Sequence, residues 1–285
     1  MSTGSPIPVR YRTDLILFFA LAFGLSWAAW LITAGIGRPP TPGSAAFLPY
    51  VFGAFGPLLA GAVVRIRRAV RKEPAPGHAI RFRPGSLLWA LALLVLASAI
   101  VLASAFLAHI AGGGPAPSLD FAATVIKQNP LGPVAFFATM LITGPLSEEP
   151  GWRGTAYPRM RASAGRYRVS VLIGVIWAIW HLPLFFVTGT VQNQLGLATP
   201  SGVLFTVSAI PMAMLVCYAY ERAGVLAAIA VHFATNTTMV LLGVSAPVVQ
   251  AMILGIQALV AIALLGAVRP GRRTTPAAVV SRPQS

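Results

Sequence analysis

The chain alternates long apolar runs with short stretches rich in Arg, Gly and Pro. Eight such runs stand out, at about residues 15–36, 46–64, 86–111, 130–147, 169–189, 202–220, 223–242 and 246–268. Each approaches the roughly 20 residues that carry a helix across the hydrocarbon of a bilayer. They are longer and more continuously apolar than the strands of a membrane barrel. A backbone that faces lipid must also satisfy its hydrogen bonds within its own segment. The pattern therefore predicts an all-α, polytopic transmembrane helical bundle of about eight spans. The turns at Glu221–Arg222 and Leu242–Ser245 are short, which predicts that the last three spans form a compact antiparallel group. Pro57, Pro145, Pro183 and Pro211 fall inside the runs, where a missing donor bends or interrupts a helix. Pro57 and Pro211 read as packing features. Pro145 and Pro183 stand beside ionisable residues, where a bend can open a polar recess.

Composition agrees with a membrane solvent. Charged residues make up 9% of the 285 and hydrophobic ones 56%, with a mean hydropathy of +0.77. A soluble domain carries about 25% charged residues. The run Leu15–Ile36 follows Arg10 and Arg12, as a signal peptide would, but it outlasts an h-region and further runs come after it. It reads as an uncleaved first helix. Cys217 is the sole cysteine, which excludes an intrachain disulfide. A net charge of +15 would suit nucleic acid, yet the basic residues sit in short stretches between apolar runs, with no polar domain to hold a strand. We expect no nucleic-acid partner.

The charge instead orients the chain. When the gaps between runs are assigned alternately to two sides, all of the 21 basic residues except Arg38 and Lys127 fall on the side of the termini. The positive-inside rule then predicts a multi-pass protein of the cytoplasmic membrane with both termini in the cytoplasm. The basic loops are expected to touch anionic lipid headgroups. One transmembrane domain over residues 1–268 is expected, with 269–285 a disordered basic cytoplasmic tail. No internal repeat supports a transporter, and nothing in the sequence sets an oligomeric state.

Against this background the ionisable residues need explaining. Asp14, Glu73, Asp120 and Glu221 lie at predicted helix ends or in loops, where solvation is expected. Glu148 and Glu149 end the fourth run. Neighbours on a helix point about 100° apart, so the two are expected to have different partners. If the helix continues past Pro150, Arg153 lies four residues from Glu149 and pairs with it, leaving Glu148 to face a cavity. The alternative is an interfacial cap without chemistry. His181 sits inside the fifth run and His232 inside the seventh, with Asn236 four residues on and on the same face. Each histidine alone could be a helix–helix hydrogen bond. His78 lies in a basic loop and His109 near a helix end without polar companions, so both read as incidental.

Such groups are costly in lipid unless they converge. A converging Glu/His/His/Asn set suits hydrolysis. A carboxylate and an imidazole orient and deprotonate water, while a second imidazole and an amide stabilise an oxyanion. No serine or threonine here has an activating base at motif spacing, and Cys217 lies in an apolar stretch, so activated water is favoured over a protein nucleophile. Glu148, His181 and His232 are also acceptable zinc ligands with an open position for water. The HExxH spacing is absent and asparagine is a poor ligand, so a metal-free site is preferred, with zinc as the alternative.

These residues resemble the CPBP family of intramembrane peptidases, the CAAX-protease and bacteriocin-processing or Abi group, in particular the type II CAAX prenyl endopeptidases. The EExxxR motif with its adjoining small residue appears as Glu148-Glu149-Pro150-Gly151-Trp152-Arg153-Gly154, FxxxH as Trp177-Ala178-Ile179-Trp180-His181, and HxxxN as His232-Phe233-Ala234-Thr235-Asn236. Trp177 stands where the family usually has Phe, which is expected to alter pocket shape more than chemistry. The resemblance implies a core at about 130–243 and hydrolysis of a peptide bond in a membrane-embedded or lipidated substrate, including prenylated CAAX-type ones. By carry-over Glu148 would activate water with His181, His232 and Asn236 would form the oxyanion hole, and Glu149 and Arg153 would support the site. Competing expectations are a non-catalytic bacteriocin-immunity or membrane interaction protein on the same scaffold, and an ion-coupled transporter.

Overall fold

The computed structural model describes residues 8–129 and 132–267, and the tail at 269–285 lies outside them. The described chain is helical: α1 (Val9–Ile36), α2 (Phe47–Ala54), α3 (Gly56–Val70), α4 (Ser86–Ile110), α5 (Leu119–Lys127), α6 (Gly132–Leu141), α7 (Ser147–Gly151), α8 (Tyr157–Met160), α9 (Arg166–Trp180), α10 (Val191–Leu195), α11 (Pro200–Ala223), α12 (Val225–Leu241) and α13 (Pro247–Ala267). Short π-helical turns, Ile142–Leu146 and Trp152–Ala156, flank α7, and a 3₁₀ turn, Leu182–Phe186, comes after α9.

Five helices among the described residues are long and apolar enough to cross a membrane: Tyr11–Ile36, Ser86–Ile110, Arg166–Phe186, Pro200–Ala223 and Pro247–Ala267. The number rises to seven if two bent pairs count as one span each. The chain is thus a multi-pass membrane protein, with five to seven candidate spans where about eight were expected. The difference has a physical basis in three places. α2 and α3 meet at 48°, and α5 meets the stretch Gly132–Met160 at 94°, so neither is one straight rod. The 17 residues of α12 extend about 25 Å at 1.5 Å per residue, short of a hydrocarbon core about 30 Å thick. Side chains such as Leu88, Leu91 and Val95 on α4 and Leu259 and Ile262 on α13 stay exposed, as a lipid-facing surface requires.

At the centre, α11 packs on α9, α12 and α13, while α4 packs on α12 and α13. Of the last three helices, α11 therefore packs on both of the others, and α4 also bridges α12 and α13. Glycines allow the closest approaches. A Cβ on Gly174 of α9 would lie 2.7 Å from the Ile210 Cα of α11, and one on Gly151 of α7 would lie 2.2 Å from the Pro57 carbonyl oxygen of α3. Small residues at such crossings bring whole helices into dispersion contact, the main attraction between helices in lipid.

One end of the bundle holds a network of ion pairs. Asp14 of α1 accepts from Arg67 at 2.7 Å and from Arg159 at 2.9 Å. Glu221 pairs with Arg161 at 2.8 Å and Arg166 at 3.3 Å, and the Tyr157 hydroxyl donates to it at 2.8 Å. Asp14 is 5% exposed. The expectation that Asp14 and Glu221 are simply solvated is thereby corrected. Asp14 is buried and Glu221 half-buried, and both are compensated by guanidinium groups.

Candidate active site

The site begins where α6 loses its regular winding. Pro145 offers no N–H, and Gly144, Pro150, Gly151 and Gly154 are weak helix formers, so the chain passes through π turn, α turn and π turn in 15 residues. A π turn inserts a residue and rotates the side chains beyond it about the helix axis, a device frequent at functional sites. Here it presents Glu148 and Glu149 on α7, both buried, to α9 and α12.

The two carboxylates face different partners. Arg153 Nη1 donates to Glu149 Oε1 at 3.0 Å, and neither side chain has any exposure. The same oxygen lies 2.7 Å from His232 Nδ1, which ties α7 to α12. Glu148 turns the other way. The Trp177 indole Nε1 donates to its Oε2 at 2.6 Å.

α9 ends just beyond Trp177, because Pro183 cannot donate back to the helix and the chain tightens into a 3₁₀ turn. His181 caps α9 there. Its Nδ1 lies 2.8 Å from the Trp177 carbonyl, which can only accept, so Nδ1 carries the proton and a neutral ring leaves Nε2 as an acceptor. Trp177 meets both histidines edge to face, with ring centroids 5.1 Å apart in each case. The Arg153 guanidinium carbon lies 5.0 Å from the centroid of the same indole.

A cavity of about 560 Å³ opens over this cluster. Glu148, Trp177, His181, His232 and Asn236 are in its wall, whereas Glu149 and Arg153 stand behind it. Tyr50 and Trp30 reach it from the N-terminal half, and Met140, Leu184 and Met212 make much of the remainder apolar. His78, in the loop after α3, and His109, at the end of α4 with Nδ1 3.1 Å from the Gly114 carbonyl, take no part.

Residues 130–238 match the family described as type II CAAX prenyl endopeptidase, Rce1-like, an interval that contains every residue from Glu148 to Asn236. A curated relative, CAAX prenyl protease 2 of Methanococcus maripaludis, is 24% identical over 240 residues, which cover 82% of this chain and 87% of the relative. The chain is thus similar to the Rce1-like CAAX prenyl endopeptidases, and the matched interval holds the site.

The geometry of the site does not favour the zinc alternative. Among the described residues no group of three or more His, Cys, Asp or Glu side chains is gathered to hold a metal ion. The three expected ligands are turned to other partners. Glu148 accepts from Trp177, His232 Nδ1 faces Glu149 and His181 Nδ1 faces a carbonyl. The expectation that Glu148, His181 and His232 could form a zinc site is overturned.

Two contributors escaped sequence reasoning. Tyr50 belongs to the N-terminal half, which carries no motif, and only folding brings it to the cavity. Trp177 was read as a change of pocket shape, yet its indole nitrogen bonds a carboxylate, which a phenyl ring cannot do. The donor inventory of tryptophan was the available signal.

Proposed function

We propose that this chain is an intramembrane endopeptidase that hydrolyses a peptide bond in a membrane-embedded or lipidated, CAAX-type substrate, using water activated by Glu148 and His181. One observation carries the reading. A carboxylate from α7 and an imidazole from α9 converge on Trp177, at the wall of an otherwise largely apolar cavity. Its volume is within the range of roughly 300–1,000 Å³ of ligand sites. The match to the Rce1-like family and the relative named as a prenyl protease support the same reaction class.

In this mechanism a water molecule between Glu148 and the His181 Nε2 lone pair gives up a proton as its oxygen bonds to the scissile carbonyl carbon. The carbonyl π electrons move onto oxygen. The resulting oxyanion is met by the Asn236 amide N–H and by His232 Nε2, the nitrogen that Glu149 leaves free. Nε2 can donate only while Nδ1 and Nε2 are both protonated or the shared proton sits on Glu149. Collapse of the tetrahedral species breaks the C–N bond, and the proton held by the Glu148–His181 pair passes to the leaving amine. Glu149 and Arg153 hold His232 and the indole in place from behind. The charge asymmetry of the loops supports an orientation with the basic end in the cytoplasm, against anionic headgroups.

The test compares wild type, E148A and H232A on prenylated CAAX-type peptides and on membrane peptides read by mass spectrometry. Each variant should stay folded and lose about 10²- to 10⁴-fold in cleavage rate. Wild-type rates in both variants would exclude this assignment of the site. Partner capture without any cleavage product would instead select the non-catalytic alternative.

A further inference from the structure

Trp177 occupies the centre of the site. Four groups converge on it: Glu148 Oε2 at its indole N–H, the His181 imidazole at its carbonyl and its ring edge, the His232 ring edge to face, and the Arg153 guanidinium near its ring. The indole is 3% exposed, so its plane is set by packing. Among the described residues it is the hydrogen-bond partner of Glu148. A carboxylate with one oxygen pinned has one oxygen left for chemistry.

We infer that Trp177 is a positioning residue whose indole N–H holds Oε2 of Glu148 and leaves Oε1 toward the cavity as the atom that takes the proton of the attacking water. The role rests on the hydrolytic reading above and deepens it, because it assigns the base to one oxygen and explains what fixes it there. Without the N–H, Glu148 can turn about its last torsion, a broad sp³–sp² rotor. The donated hydrogen bond to a carboxylate is of the strong, charge-assisted kind. Its geometry also links the two members of the water-activating pair, since the residue that pins Glu148 through its side chain orients His181 through its backbone. Arg153, paired with Glu149, lies near enough to the indole to stabilise it by cation–π attraction. Glu149 and Arg153 thus reach the Glu148 carboxylate through one ring, without lining the cavity.

The decisive variant is W177F, which keeps an aromatic ring beside both histidines and removes the donor. Steady-state cleavage of a prenylated peptide by W177F should show kcat lower by about 10- to 100-fold with KM within about two-fold, since the lost interaction orients a base and does not hold substrate. If W177F fails to fold, 3-benzothienylalanine at position 177 keeps both rings, lacks the N–H and should give the same split. Independently, the ¹⁵N-labelled indole N–H resonance that disappears in W177F should sit downfield in wild type and move upfield in E148A. Unchanged kcat in the donor-free variants, a defect confined to KM, or an indole resonance indifferent to E148A would overturn the role. A wild-type protein that cleaves none of these peptides would remove the hydrolytic reading and this role with it. An active wild type beside an equally active W177F removes this role alone.

Discussion

Glu149 offers a single oxygen, Oε1, to both Arg153 and His232, in side chains with almost no exposure. A charge so placed depends on its partners, and removing one partner of a buried pair costs more than the pair contributes. R153L should therefore destabilise the protein by about 3–5 kcal/mol, read as thermal unfolding in detergent. An E149L/R153L double variant, with no charge left uncompensated, should recover much of that loss. The Glu149–Arg153 contact is legible in the chain, since four residues on a helix bring two side chains together. The His232 contact spans 83 residues, and the Trp177–Glu148 bond spans 29. No periodicity encodes either, because each depends on how separate helices are packed.

At the level of elements, the apolar run at 130–147 was expected to bend at Pro145, and the chain there forms α6, a π turn that contains Pro145, and α7. The prolines and glycines that cause this were visible, but hydropathy averages over them and reports only that the segment avoids water. α7 is seated by its glycine. The Cβ of an alanine at Gly151 would approach the Pro57 carbonyl to 2.2 Å, with backbone on both sides and no flexible atom to yield. G151A should destabilise by about 1–3 kcal/mol as α3 and α7 are pushed apart, with a fall in cleavage because α7 carries Glu148. Gly255 of α13 has open space around it, so G255A should be neutral or more stable by up to about 1 kcal/mol. Thermal unfolding of the two variants side by side separates the crossing from the general effect of alanine in a helix.

For the whole molecule, the basic loops do more than set orientation. Arg67, Arg159, Arg161 and Arg166 draw Asp14 and Glu221 into one paired end of the bundle, joining α1 and α11 to the segments around the site. Orientation itself is open to direct measurement, because the native Cys217 has no exposure and contributes little background. Arg71 and Ala116 are exposed, on either side of the 25-residue helix α4. A membrane-impermeant maleimide should label R71C from the cytoplasmic face alone and A116C from the opposite face alone. The reverse pattern would invert the orientation inferred from charge.

By itself the sequence determined the solvent, the helical class, the inventory of intramembrane polar groups and the pairing of Glu149 with Arg153. Each of these arises from transfer free energies and helix geometry summed over neighbouring residues, and such sums are local. Tertiary structure decided where spans bend, that Asp14 meets Arg159 across 145 positions, that Glu148 answers to Trp177 rather than to a metal-ligand set, and that Tyr50 reaches the cavity. Those outcomes depend on the packing of distant helices through glycine crossings and π turns. There a shift of about one residue redirects a side chain, and the energy that selects the arrangement belongs to no single stretch of chain.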